Sequence, residues 1–137
     1  MKSDRPICVK VTPTMLHHYG DEFQALLDAG VQIEFNTHRY PMPAHELAEF
    51  LGDAQLAIIG LDEVSALVFE KCPHLAIIAR NGVGLDNVDL EAASAHGVII
   101  TAPYGANSIS VAELTFGLLL AVQRGIVATH NRVQQGI

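Results

Sequence analysis

Five short apolar runs, each followed by a stretch with helical or turn character, constrain this chain more than any other feature. They are Ile7–Val11, Val31–Phe35, Leu56–Ile59, Leu75–Ala79 and Val98–Thr101. The runs are close to continuous rather than alternating apolar with polar. A strand covered by helices on both faces has no solvent side and so shows no period of two. The segments between them carry helix punctuation. Phe23, Leu26 and Leu27 lead to a stop at Gly30, and Pro43–Leu51 is entered through Pro41 and Pro43 and ended by Gly52. Leu67, Val68 and Phe69 belong to a helix entered from Gly60-Leu61-Asp62-Glu63 and closed by Pro73, and Asp89 stands where it would cap Leu90–Ala95, which Gly97 ends.

Repeated strand–helix units place parallel strands side by side with helical crossovers between them. The expected fold is α/β: a flavodoxin-like, doubly wound, five-stranded parallel sheet in three α/β/α layers, with strand order 2-1-3-4-5 and a long apolar C-terminal helix. A chain of 137 residues, 50% of them apolar, has enough core for one such domain and too little for two.

The C-terminal helix stands apart. Ser110-Val111-Ala112-Glu113 has capping-box spacing and predicts a helix that starts there and runs past Arg124. Leu114, Phe116, Leu118, Leu119, Leu120 and Val122 fall on nearly every face of it. A helix apolar all round must be covered on several sides, and one small sheet covers only one. The expected division is therefore 1–107 as a ligand-binding domain and 108–137 as an interdomain and dimerisation helix, with homodimerisation through Val111–Val122.

Composition excludes several partners. A net charge of −7 and a pI near 5.3 oppose binding to nucleic acid or to an anionic membrane surface. The apolar run Val111–Val122 is interrupted by Glu113 and Thr115 and is too short to span a bilayer. Met1–Pro6 lacks the apolar core of a signal peptide, so a cytoplasmic location is expected. Cys8 and Cys72 match no metal or redox spacing and read as buried, reduced thiols. The histidines, His17, His18, His38, His45, His74, His96 and His130, are scattered, and no metal site is expected.

Chemistry is expected where ligands gather in open α/β sheets, outside the carboxyl ends of the strands. Gly82-Val83-Gly84 follows the fourth run and Asn107 follows the fifth, so both are candidates to face one crevice. Gly82 and Gly84 permit a sharp turn and let backbone amides approach a carboxylate. Asn107 either donates to the ligand from beside a helix N-terminus or simply caps that helix. Arg80 either holds a carboxylate or phosphate with its guanidinium or pairs with Asp86 or Asp89. Asp86, Asn87 and Asp89 read as turn and cap residues. At the first strand end, Thr12-Pro13-Thr14 brings hydroxyls to the same edge, with Thr14 read as a helix cap.

Two spaced motifs, R-x-G-x-G-x-D-N-x-D at Arg80–Asp89 and N-x-x-S-V-A-E at Asn107–Glu113, resemble the N-terminal segment of the D-isomer-specific 2-hydroxyacid dehydrogenases, especially the phosphoglycerate dehydrogenase branch. The resemblance covers nearly the whole chain. It implies that the amides of Val83 and Gly84 hold a substrate carboxylate, that Val83 also lies near the nicotinamide of NAD or NADP, that Arg80 faces the substrate's anionic groups, and that Asn107 lies beside the substrate. The substrate-binding set is thus Arg80, Gly82, Val83, Gly84 and Asn107, with a small 2-hydroxy or 2-oxo acid as ligand.

The resemblance also implies an oxidoreductase that acts on the CH–OH group of its donor, with a nucleotide-binding domain following this segment. No G-x-G-x-x-G with its acidic partner occurs in the sequence, since Gly82-Val83-Gly84-Leu85-Asp86-Asn87 lacks the third glycine. The family's catalytic arginine, acidic residue and histidine are expected beyond Ile137, and none of the seven histidines stands in a matching motif. These residues alone are therefore expected to bind no nicotinamide cofactor and to be catalytically silent. Many phosphoglycerate dehydrogenases carry a basic residue after the third strand where this chain has Leu61-Asp62-Glu63, which counts against a phosphorylated substrate. The alternative is a non-catalytic, corepressor-like binding module of the same fold.

Overall fold

The computed structural model describes residues 6–14, 16, 21–37 and 39–137; His17, His18 and His38 lie outside them. The chain divides into two compact units, Met1–Pro103 and Tyr104–Ile137.

The first unit carries five strands, β1 (Cys8–Val11), β2 (Gln32–Phe35), β3 (Leu56–Ile59), β4 (Ile77–Arg80) and β5 (Ile99–Thr101). All neighbours pair in parallel, in the order β2-β1-β3-β4-β5. The α/β fold, the parallel sheet and its strand order are those the apolar runs predict. Between the strands lie α1 (Gln24–Asp28), preceded by a 3-10 turn at Asp21–Phe23, then α2 (Ala44–Leu51), α3 (Ala66–Lys71) and α4 (Leu90–Ala95).

Successive residues of β3 feed opposite faces. Ala57 and Ile59 join a core with Leu47 and Leu51 of α2, Val68 and Phe69 of α3, Ala93 of α4 and Ile78 of β4. Leu56 and Ile58 pack instead on Val9, Val11 and Phe23, and Phe23 meets Phe35 edge to face at 5.2 Å. In α2 the buried residues Ala44, Leu47, Ala48 and Leu51 fall at i, i+3, i+4 and i+7, one stripe of a helix. Gly52 then ends it with φ at +49°, a conformation that glycine adopts at little cost.

The first, second and fifth strands and α2 each begin one residue later than the sequence reading, and larger differences fall on the fourth strand and the last helix. The fourth strand begins at Ile77, not Leu75, because the Leu75 amide turns back to the Cys72 carbonyl at 3.1 Å and closes the end of α3. It ends one residue later, at Arg80, which pairs with Ile59 of β3. In the second unit, α5 spans Ser108–Gln123 and begins before Ser110. A turn at Gly105 (φ +78°) launches it, so Asn107 supplies the first helical carbonyl, to the Val111 amide at 2.9 Å. Ser110 therefore sits inside the helix, and the expected capping box does not form.

Nor does that helix run past Arg124. Gly125, at φ +60°, breaks it, and α6 (Ile126–Gln134) leaves at a bend of 59°. Neither helix is by itself long and apolar enough to cross a membrane. No residue of α5 is buried: Ile109, Leu114, Phe116, Leu118, Leu119 and Val122 are all exposed.

Candidate functional site

The carboxyl edge of the sheet is built by three interlocked loops. The deepest element is Asp62, which follows β3 and is fully buried. Its carboxylate accepts from the amides of Met42 at 2.9 Å and Gly60 at 3.2 Å and from the Thr12 hydroxyl. A buried carboxylate is tolerated only when its lone pairs are filled in this way. Asn36, after β2, donates from Nδ2 to the carbonyls of Thr12 (3.2 Å) and Arg39 (3.0 Å). The ends of β1, β2 and β3 are thereby tied to one another. Thr12 is the hydroxyl embedded in this network, while Thr14 is exposed.

The glycine turn rests on that base. The Asn81 amide extends the β3–β4 ladder by one bond, to the Ile59 carbonyl at 2.7 Å. The chain then reverses at Gly82, whose φ of +146° excludes ordinary side chains. Arg80 shares a face of β4 with buried Ile78, yet its side chain curls back over the turn. Its Nη1 donates to the Asn81 carbonyl, and a Cβ at Gly82 would collide with the same nitrogen. Arg80 Nε is buried without a partner. Of the two sequence readings for Arg80, the structural ion pair is not made: no salt bridge joins it to Asp86 or Asp89.

Beyond Gly84, which a Cβ would bring within 2.8 Å of an Asp86 carboxylate oxygen, Asn87 fastens the turn to its neighbour. Its Nδ2 donates to the carbonyls of Gly60 (3.0 Å) and Asp62 (2.7 Å). A parallel bridge between Val64 and Val88 adds Val64 N to Asn87 O at 2.9 Å and Asp89 N to Val64 O at 2.8 Å. Asp89 caps α4 by accepting from the Ala92 amide at 2.9 Å. The turn and cap roles read for Asn87 and Asp89 are those observed.

Arg80, Gly82, Val83 and Gly84 thus stand together on one short, braced loop. Asn107 belongs to the second unit, at the N-cap position of α5, and its side chain makes no capping hydrogen bond. Among the described residues no group of histidine, cysteine or acidic side chains could hold a metal ion. Of the two cysteines Cys72 is buried, as read, but Cys8 is only half-buried.

Sequence reasoning missed Asp62 and Tyr40. Asp62 was one of two acids in a loop, and only the fold gives it three donors. Tyr40 places its hydroxyl on the Leu61 amide at 2.9 Å, 21 residues away in sequence, and no local pattern announces that contact.

The model of the D-isomer specific 2-hydroxyacid dehydrogenase catalytic domain matches residues 13–137. The D-3-phosphoglycerate dehydrogenase of Methanocaldococcus jannaschii is 42% identical over 92 residues, covering 66% of this chain and 18% of its own. The glyoxylate reductase of Thermococcus litoralis is 39% identical over 84 residues, 61% of this chain and 25% of its own. Among solved structures, the TT0316 protein of Thermus thermophilus superposes with a TM-score of 0.78 at 30% identity, covering 95% of this chain and 41% of that one. The chain therefore spans about a fifth to a quarter of the length of these curated relatives.

Proposed function

Because the chain belongs to the D-isomer specific 2-hydroxyacid dehydrogenase family, we propose that it is the substrate-binding part of an NAD(P)-dependent oxidoreductase that acts on the CH–OH group of a small D-2-hydroxy acid. The observation that carries this reading is the braced turn at Gly82-Val83-Gly84, which has the Arg80 guanidinium over Gly82 and an Asp86 carboxylate oxygen beside Gly84. Amides with no Cβ in front of them and one adjacent cation suit a carboxylate. Arg80 is held only through its own turn and keeps an unpartnered Nε, so it can trade the Asn81 carbonyl for a ligand oxygen.

The residues present fit only part of a nicotinamide site. Half-buried Val83, in the turn after β4, can border the nicotinamide ring, but no turn here carries the three-glycine fingerprint that cradles a pyrophosphate. When bound by the whole protein, NAD or NADP supplies the hydride acceptor or donor. The part played by this chain is to fix the carboxylate so that C2 faces that ring, a positioning role. The 137 residues alone would neither turn over substrate nor bind NADH, and would pair with a second copy through α5.

An amide-resolved NMR titration of the chain with glyoxylate tests the reading. Saturable shifts at Gly82, Val83 and Gly84, lost in Gly82→Ala, are expected. Shifts confined to other loops would overturn it.

A further inference from the structure

Gly60 is the residue of β3's exit loop that lies beside the glycine turn. Ile59 pairs with Arg80 and accepts from the Asn81 amide at 2.7 Å, so Gly60 falls next to Asn81 across neighbouring strands. Strands of one sheet are about 5 Å apart. The space that a side chain at position 60 would fill belongs instead to Tyr40: a Cβ on Gly60 would collide with the Tyr40 hydroxyl and come within 2.9 Å of its Cζ. That hydroxyl accepts from the Leu61 amide at 2.9 Å, and its own proton has no acceptor among the described residues. A phenol O–H is therefore presented at Gly60, next to Asn81 where the turn begins, ready to donate.

Carboxylates outnumber cations on this edge. Gly60-Leu61-Asp62-Glu63 brings no cation, and Asp62 is spent on its three internal donors. Glu63, Asp86 and Asp89 line a groove on the same edge, and Asp86 reaches back to Gly84. Arg80 is the one cation on the turn, and a carboxylate uses it. A phosphate dianion beside Tyr40 would meet the carboxylates of that groove, and the cation next to Tyr40 in sequence, Arg39, is already paired with Glu46 at 3.5 Å, whereas a neutral hydroxyl would meet a neutral donor.

Resting on the reading of the glycine turn as a carboxylate site, we propose that Tyr40 is a specificity-determining residue that donates to a hydroxyl on C3 of an unphosphorylated three-carbon 2-hydroxy acid. With the carboxylate on the turn, C3 of such an acid lies about one strand spacing away, where its oxygen can accept from the phenol at roughly 2.7–2.8 Å.

The test uses the 137-residue chain and three probes, D-glycerate, D-lactate and 3-phospho-D-glycerate, with affinities read from the amides of Gly82, Val83 and Gly84. D-Glycerate should bind about 2–10-fold tighter than D-lactate, the worth of one hydrogen bond. 3-Phospho-D-glycerate should bind at least about tenfold weaker than D-glycerate. Tyr40→Phe should erase the preference for glycerate and leave lactate within about twofold, which a merely structural role for the ring would not do. Unchanged resonances of Val9, Ile59 and Ile78 would show that this variant keeps its fold.

Tighter binding of the phosphorylated acid overturns the inference, and so does an equal loss of glycerate and lactate in Tyr40→Phe. If lactate binds the turn and glycerate gains nothing over it, the inference fails while the carboxylate site stands. If neither acid perturbs the turn, both fail together.

Discussion

Helices α2 and α5 are both rich in apolar residues and have opposite fates. In α2 the apolar residues form one stripe, and Ala44, Leu47, Ala48 and Leu51 are buried while Glu49 and His45 face water. In α5 they surround the axis, and none is buried. Hydrophobicity alone therefore says little about where a helix packs. The pattern decides how many sides a neighbour must cover, and the sheet of the first unit offers its helices one side each.

The contrast predicts unequal responses to the same truncation. Leu47→Ala removes a side chain with no exposure, and the loss should be about 2–5 kcal/mol by urea denaturation, with the upper end reached if the cavity does not collapse. Leu119→Ala in α5 removes one that is 59% exposed, and the change should stay within about 0.5 kcal/mol at low protein concentration. Any loss at Leu119 that grows with concentration reports a second copy covering α5, because association adds stability by mass action. Equal, concentration-independent losses at the two sites would break the comparison.

A smaller effect is expected at the sheet edge, where the braces are polar. Asn87→Ala strips two hydrogen bonds from the carbonyls of Gly60 and Asp62, at a cost of about 1–3 kcal/mol. The same change should shift the amides of Gly82–Gly84 and of Gly60–Asp62 together, since one side chain spans both loops. A variant that moves only one of them would show that the loops are braced independently.

How far the sequence could be read follows the same division. Local rules located every strand of the sheet, the Asp89 cap and the glycine turn, because continuous apolar runs and cap residues act within a few positions. They failed where a contact depends on residues far apart. Leu75 looked like strand but serves the α3 turn, and the spacing of Ser110 and Glu113 mimicked a cap that Gly105 and Asn107 set earlier. Gly125 sits inside an apolar pattern that reads as continuous helix, yet its left-handed backbone divides the helix. At the site, Arg80 and the two glycines were legible from their motif. Asp62 and Tyr40 were not, since apart from the Gly60 amide their partners come from loops 20 or more residues away.

The smallest expected effect concerns the two thiols, one in the packed core and one at its margin. Burial pushes the Cys72 thiol above its ordinary value of 9.0, the nearby Asp53 charge adds to this, and a backbone hydrogen bond from Gly52 opposes it. The folded state thus holds the thiol proton more tightly than the unfolded chain. Its contribution to stability is complete below the unfolded pKa and is lost as pH rises through the folded one. Stability should therefore decline above about pH 9, by at most about 1.4 kcal/mol per pH unit for this single proton. Cys72→Ser should flatten that alkaline slope. At pH 8 a thiol reagent should modify half-buried Cys8 in the native protein and reach Cys72 only in urea. Native-state labelling of Cys72 as fast as that of Cys8 would mean that the α2–α3 core opens as readily as the sheet margin, and that burial does not rank the two thiols.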